Sequence, residues 1–219
     1  MTYPSFRLNA WEGKLTDAAE SISIPEEDIL RADLYDYLAT LLSRPLTGEL
    51  LGKTAELSGD DSELGQAIDA LSRLAKATKT SSAEREFNAL FIGMARGELL
   101  PYASFYLTGF LNEKPLATLR KDMLGLAIER APNVFEPEDN IASLCEMMAG
   151  MIRGRFGDPT DLARQRDFFN KHIGPWASHF FKDLEGAKNS VLYAPVGTVG
   201  RVFMGIEKEG FRMASESST

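Results

Sequence analysis

The chain has 219 residues, 44% hydrophobic and 26% charged, which is the balance of one soluble globular domain, or of two small ones, and is long enough to bury a core without disulfides or metals. Its formal net charge of -8 argues against nucleic acid as a partner, because lysine and arginine contacts to phosphate supply most of that affinity. The single Cys145 cannot pair within the chain, no apolar run reaches membrane-spanning length, and Met1 to Ser21 lacks a signal-peptide core, so a cytoplasmic protein without membrane insertion is expected.

Residues 1–24 carry Pro4 and Gly13 and no sustained period, which predicts a loosely attached arm. From Pro25 the pattern changes. Glu26, Glu27 and Asp28 suit a first helical turn, and Leu30, Leu34, Tyr37, Leu38, Leu41 and Leu42 follow at three-and-four spacing up to Arg44-Pro45. Thr47 to Leu57 reads as a short helix broken by Gly59-Asp60-Asp61. Ser62 then caps a helix with Leu64, Ile68, Leu71, Leu74 and Ala75 on one face. Gly48-Glu49-Leu50-Leu51-Gly52-Lys53-Thr54 superficially matches a phosphate loop, but its glycines are separated by three residues where the motif needs four, and no strand precedes it.

Ser81-Ser82-Ala83-Glu84 has capping-box spacing and predicts the start of a helix whose apolar face is Phe87, Leu90, Phe91 and Met94. Beyond Gly93 and Gly97, Tyr102, Phe105 and Tyr106 put three aromatics within five residues, as core or as the floor of a peptide groove. Pro115 predicts a helix bearing Leu116, Leu119, Met123 and Leu126, with Arg120 and Lys121 among its few charges.

Pro137 is expected at a first helical position, with Glu138 and Asp139 favoured there by the helix dipole. Ile141, Leu144, Cys145, Met148 and Ile152 form the apolar stripe of that helix. Asn140 lies one turn before Leu144 on the same side, so its side chain must find a partner or line a polar pocket. Helical patterning resumes at Pro159 with Leu162, Phe168 and Phe169, and again around Trp176, Phe180, Phe181 and Leu184. Asn189 to Gly197 reads as a turn-rich link, Val199, Val202, Phe203 and Ile206 as a last amphipathic piece, and residues 211–219 as a disordered tail. The pattern predicts an all-α, single-domain helical bundle of about nine to eleven helices within residues 25–210.

Catalytic and metal patterns are absent from the sequence. Neither His172 nor His179 follows a Glu at the spacing of a di-metal carboxylate bundle, and the two are seven residues apart across Gly174-Pro175, about two turns on a helix. Cys145 sits on an apolar stripe, where a thiol is usually inert. No catalytic residue, metal ligand or cofactor is expected.

Four motifs in order then carry a resemblance. Glu86-Phe87-Asn88-x-Leu90-Phe91-x-Gly93, Pro101-Tyr102-x-Ser104-x-Tyr106, Pro115-x-x-x-Leu119-Arg120 and Glu136-Pro137-Glu138-Asp139-Asn140-Ile141-Ala142 resemble the TorD/DmsD/NarJ family of redox-enzyme maturation chaperones. The similarity extends from about Asp28 to Phe181 and includes Phe168-Phe169-x-x-His172 and Pro175-Trp176. The resemblance implies an all-helical cytoplasmic chaperone without enzymatic activity. Its partners would be the twin-arginine leader and the apo form of a molybdenum-containing oxidoreductase, held until the cofactor is inserted and export can proceed. It also implies a monomer or a homodimer with helix exchange. This chain has Asn140 where the family pattern usually has His.

A twin-arginine leader is a basic pair followed by an apolar stretch. The residues expected to bind it are Tyr102, Ser104, Phe105, Tyr106, Arg120, Glu136, Pro137, Glu138, Asp139 and Asn140, with Glu136, Glu138 and Asp139 as an acidic rim beside the aromatic surface. A helical scaffold that binds a folded protein partner, and an enzyme of another kind, remain alternatives at this level.

Overall fold

The computed structural model describes residues 24–216 apart from Ala95 and Asn133, together with the backbone of the strand Phe6–Leu8. The expected N-terminal arm therefore lies outside the described residues except for that strand and Ile24. Ten α-helices occur among the described residues, as the all-α expectation requires. They are α1 (Glu26–Ser43), α2 (Gly48–Ala55), α3 (Glu63–Ala77), α4 (Thr80–Phe87), α5 (Ala103–Thr108), α6 (Lys114–Gly125), α7 (Ile141–Arg153), α8 (Leu162–Phe168), α9 (Ala177–Gly186) and α10 (Tyr193–Glu216). Single π-turns, Asn88–Ile92 and Phe169–Ile173, extend α4 and α8. The strand β1 (Phe6–Leu8) pairs antiparallel with β2 (Ile128–Arg130), a pairing too short for sequence alternation to reveal.

Helix α7 is the central element. Residues Ile141, Ala142, Leu144, Cys145 and Met147 through Ile152 are all buried, so it is apolar nearly all round, as a helix enclosed by others must be. Helix α1 packs along it, and α10 lies across α9 and α3. Close approach of α10 to α9 depends on small residues: a β-carbon at Gly200 would run into the Phe181 ring. Burial pushes the Cys145 thiol well above its ordinary range, so it is a core residue and not a nucleophile.

Several local expectations are corrected. Lys79, not Ser81, precedes α4, and no side chain caps that helix, because the chain is already helical at Thr80. Pro137 lies in a turn before α7, its carbonyl accepting from Asn140 N–H at 3.2 Å, so Glu138 and Asp139 are not in a first helical turn. The link expected at residues 189–197 ends at Ser190 to Leu192, since α10 starts at Tyr193 and accommodates Pro195 in its first turn, where a proline lacks no needed N–H. The expected tail is also helical as far as Glu216. Phe211 is buried against Phe169 (5.3 Å between centroids), and Arg212 pairs with Glu209 and Glu216 one turn to either side; residues 217–219 lie outside the described ones.

The α1–α10 seam carries a partly buried charge cluster. Arg31 donates to Glu207 through Nε (2.7 Å) and Nη2 (2.8 Å), to Asp28 and to Gln165, and its guanidinium lies over the Phe211 ring at 5.2 Å. Tyr35 donates to the same Glu207 at 3.0 Å. This cluster forms the floor of an open cavity of about 620 Å³ walled by Ile24, Pro25, Ile152, Leu162 and Ile206.

Candidate functional site

The turn ahead of α7 is built against the strand-like entry to α5. Ala103 N–H donates to Asp139 C=O (2.9 Å) and Ile141 N–H to Pro101 C=O (2.9 Å), so residues 101–103 and 139–141 run antiparallel through a single bridge. This pairing fixes the Asp139 side chain. Its Oδ2 accepts from the Ser104 backbone N–H at 2.8 Å and so caps α5, a helix whose own N-cap, Tyr102, offers no side-chain bond.

The other oxygen has no such role. Asp139 is 1% exposed, and its Oδ1 has no hydrogen-bond partner among the described residues; the same holds for the fully buried Ser104 Oγ. Asp139 faces a cavity of about 280 Å³ between α5, α6 and the π-turn after α8. Ala103, Leu119 and Leu144 give it apolar walls, and Leu107, Lys114, Pro115, Thr118, Lys171 and His172 complete them. A buried carboxylate with a bare lone pair is costly unless a donor arrives, and the cavity is the route by which one can.

The remaining expected residues divide into groups. Arg120 donates twice to Glu138 Oε2, at 3.0 and 2.8 Å, while Arg130 stands 3.8 Å from the other oxygen. Glu138 is thus buried and internally paired, so the acidic rim reduces to Glu136 at the surface with Asp139 beneath it. Tyr102 OH bonds Glu136 Oε1, and Asn140 Nδ2 approaches the same oxygen at 3.4 Å. Burial and that carboxylate together raise the Tyr102 phenol out of reach of deprotonation. Pro137 shapes the turn.

Asn140 is the N-cap of α7: its Oδ1 accepts from Ala142 N–H at 2.9 Å. The polar residue on the apolar stripe is explained by this bond, and capping by Asn is among the strongest of such preferences. The aromatics are half-buried. Tyr106 packs beside Trp176 (5.3 Å) and Phe180 (6.1 Å) and donates to Asp183 at 2.9 Å, with Phe105 edge-on to it at 5.9 Å. Tyr106 therefore belongs mainly to the packing of α5 on Trp176 and α9, and of the three Tyr102 is the one bonded to the Glu136 turn.

Sequence reasoning found no metal pattern at His172 and did not connect it with Asp139, although both line the cavity. His172 Nε2 lies 2.7 Å from Asp122 Oδ2, which also pairs with Lys171 at 2.5 Å. Burial holds the imidazole below its ordinary pKa despite the neighbouring carboxylate, and hydrogen bonds from Lys171 and His172 hold Asp122 below its own against the opposing effect of burial. His179 is on α9 and exposed, far from any shared coordination. Among the described residues, no group of three or more His, Cys, Asp or Glu is placed to hold a metal ion, and no helix is long and apolar enough to cross a membrane.

The sequence matches the family model described as nitrate reductase delta subunit over residues 58–182, which contains every expected site residue. The chain belongs to that family. Among relatives of this delta-subunit family member, the chaperone protein TorD of Aliivibrio fischeri is 28% identical over 173 residues, covering 68% of this chain and 80% of that one. The chaperone protein TorD of Vibrio cholerae is 26% identical over 198 residues, covering 81% and 90%. A crystal structure described as a redox enzyme maturation protein from Archaeoglobus fulgidus shares the fold, with a TM-score of 0.54 at 20% identity over 85% of this chain and 99% of that one. The resemblance carried by the four motifs is borne out.

Proposed function

We propose that this delta-subunit family member is a system-specific chaperone for a molybdenum-cofactor-containing oxidoreductase, binding its twin-arginine leader and apoenzyme in the cytoplasm until cofactor insertion is complete. The curated relatives named as TorD chaperones support the class of activity. The observation that carries the binding mode is that Asp139, whose buried Oδ1 is bare, lines an apolar-walled cavity. A guanidinium is a flat donor that can slide between apolar walls and bond that oxygen, and charge-assisted bonds of this kind are the strong ones. Glu136 at the surface is within reach of a second arginine, and Tyr102 offers its ring for stacking.

Calorimetric titration of a synthetic twin-arginine leader tests the reading. Asp139→Asn keeps the shape and removes the charge, so affinity falls by about 1.5–3 kcal/mol. Tyr102→Ala weakens binding through lost contact, with unchanged salt dependence. Raising salt weakens the contribution of the exposed Glu136 more than that of the buried Asp139, because buried pairs are screened less. Wild-type affinity in Asp139→Asn and Tyr102→Ala, both still folded, would exclude this cavity as the leader site.

A further inference from the structure

Two cavities meet at His172. The cavity lined by Asp139 has Lys171 and His172 in its wall, and a second, open cavity of about 380 Å³, between the last turns of α6 and α8, has the same two residues in its own. The imidazole borders both although its side chain is only 5% exposed. It is therefore a titratable group with solvent on one side and the Asp139 cavity on the other.

The chain around the ring holds it there. Pro175 has no N–H to continue the helix, and Gly174 N–H donates instead to Phe169 C=O at 2.7 Å, which closes the π-turn Phe169–Ile173. Trp176 Nε1–H donates to His172 C=O at 2.7 Å, and the Phe168 ring packs against the imidazole at 5.0 Å between centroids. With backbone and ring both held, the imidazole gains or loses a proton in place.

The charges facing it come from four elements. Helix α6 contributes Lys121, Asp122 and, at its other end, Lys114; α8 contributes Arg164 and Asp167; the π-turn contributes Lys171; and the turn before α7 contributes Asp139. Asp122 is the pivot, its Oδ2 lying 2.7 Å from His172 Nε2 and 2.5 Å from Lys171 Nζ. While the imidazole is neutral, Lys171 and Asp122 cancel. One proton on His172 sets two cations against that single carboxylate, in a wall shared with Asp139. A cation inside so small a cavity stands close to every wall, and apolar surroundings screen charges less than water does.

We propose that His172 makes cation binding in the Asp139 cavity depend on pH, because a proton on the imidazole and a cationic side chain in the cavity oppose each other. The proposal rests on the chaperone reading above for the identity of the cation and adds regulation by proton concentration. Burial, with Lys171 acting in the same direction against Asp122, keeps the imidazole below its ordinary pKa, so the ring is neutral at pH 7 and the cavity is then at its most receptive. Coupling of this kind is reciprocal: the proton weakens the cation by the same factor as the cation weakens the proton.

Calorimetric titration of a synthetic twin-arginine leader into the full chain at about pH 7.5 and about pH 5.5 brackets the ordinary imidazole pKa. Wild-type affinity should be about threefold to tenfold weaker at the lower pH. His172→Gln can still donate to Asp122 but takes up no proton, so its affinity should vary little across the window, whatever its value at the upper end. Asp122→Asn leaves Lys171 uncancelled, so it should bind the leader more weakly already at the upper pH. The chain has two histidines, so proton resonances of the imidazoles give a second readout on wild type alone: saturating leader should move the His172 midpoint to lower pH and leave the exposed His179 where it was. Equal wild-type affinity at both pH values, a decline that His172→Gln retains in full, or a His172 midpoint unmoved by bound leader would overturn the proposal and leave the chaperone reading standing. Absence of leader binding by wild type at either pH would overturn both.

Discussion

At the α1–α10 seam Arg31 is enclosed by Glu207, Asp28 and Gln165 and packed on Phe211, whereas beside α5 the buried Asp139 spends one oxygen on Ser104 and leaves the other bare. The first lies under the larger cavity, about 620 Å³ against 280 Å³. Size therefore points one way and chemistry the other. A charge whose bonding capacity is filled within the chain has been used for folding, and a ligand entering there would have to break bonds to make its own. An unfilled acceptor does the reverse, since the ligand removes a cost the apo protein carries.

That contrast can be broken most forcefully at Glu207. Glu207→Ala leaves Arg31 with Asp28 and Gln165 alone and removes the acceptor of the buried Tyr35 OH, so unfolding free energy should fall by about 1–3 kcal/mol in chemical denaturation, with leader affinity of the folded fraction unchanged. Asp139→Asn should give the opposite profile, losing leader affinity while its denaturation midpoint moves by less than about 1 kcal/mol equivalent, because an amide oxygen can still accept from Ser104. Loss of stability comparable to Glu207→Ala would show that Asp139 is also a purely structural acid.

Asn140→Ala should cost about 1 kcal/mol of stability, the value of an N-cap, and leave the salt dependence of leader binding intact. The pH profile sharpens the comparison from another side. His172 has a folded pKa held below its unfolded value, so the fold favours neutral imidazole. The corresponding stability is fully present above about pH 6.5 and is lost as pH falls through the depressed folded value. Melting temperature should decline across that window in wild type and less steeply in His172→Gln. Asp122 adds a second decline lower down, as protonation removes a carboxylate whose pKa the fold has depressed. The smallest effect concerns Lys114. Lys114→Glu should tighten leader binding by at most about 1 kcal/mol, since the group is exposed, and the gain should vanish in high salt.

Sequence periodicity was enough for a helix that buries one clear face, such as α3, because spacing and burial are the same information there. It failed where the decisive partner is distant in the chain. Glu138 looked like a free rim acid until Arg120, eighteen residues earlier, occupied it. Asn140 suggested a pocket because capping and pocket lining place the same residue type at the same position, and only the Ala142 bond separates them. The tail went unrecognised because its apolar residues are few and show no sustained period, and Phe169, the partner of Phe211, is in the distant π-turn after α8. The motif acids Glu86 and Asp139 were legible as unusual, but not what each accepts from.

Glu86 itself has a consequence for how the protein is made. Its Oε1 accepts from the backbone N–H groups of Val191 (2.7 Å) and Tyr193 (2.8 Å), and Glu98 accepts from those of Lys188 (2.5 Å) and Asn189 (3.1 Å). The entry to the longest helix is thus fastened by carboxylates about a hundred residues upstream, separations of 90 to 107 positions. During translation these acids wait for their donors, which are made only after 90 to 107 further residues. Ring closure over so many residues carries an entropy cost before any bond repays it, so docking of α10 belongs to the late stages of folding. A nascent chain short of residue 188 has no partner for either clamp, and the hydrophobic faces of α3 and α9 stay uncovered until α10 closes over them.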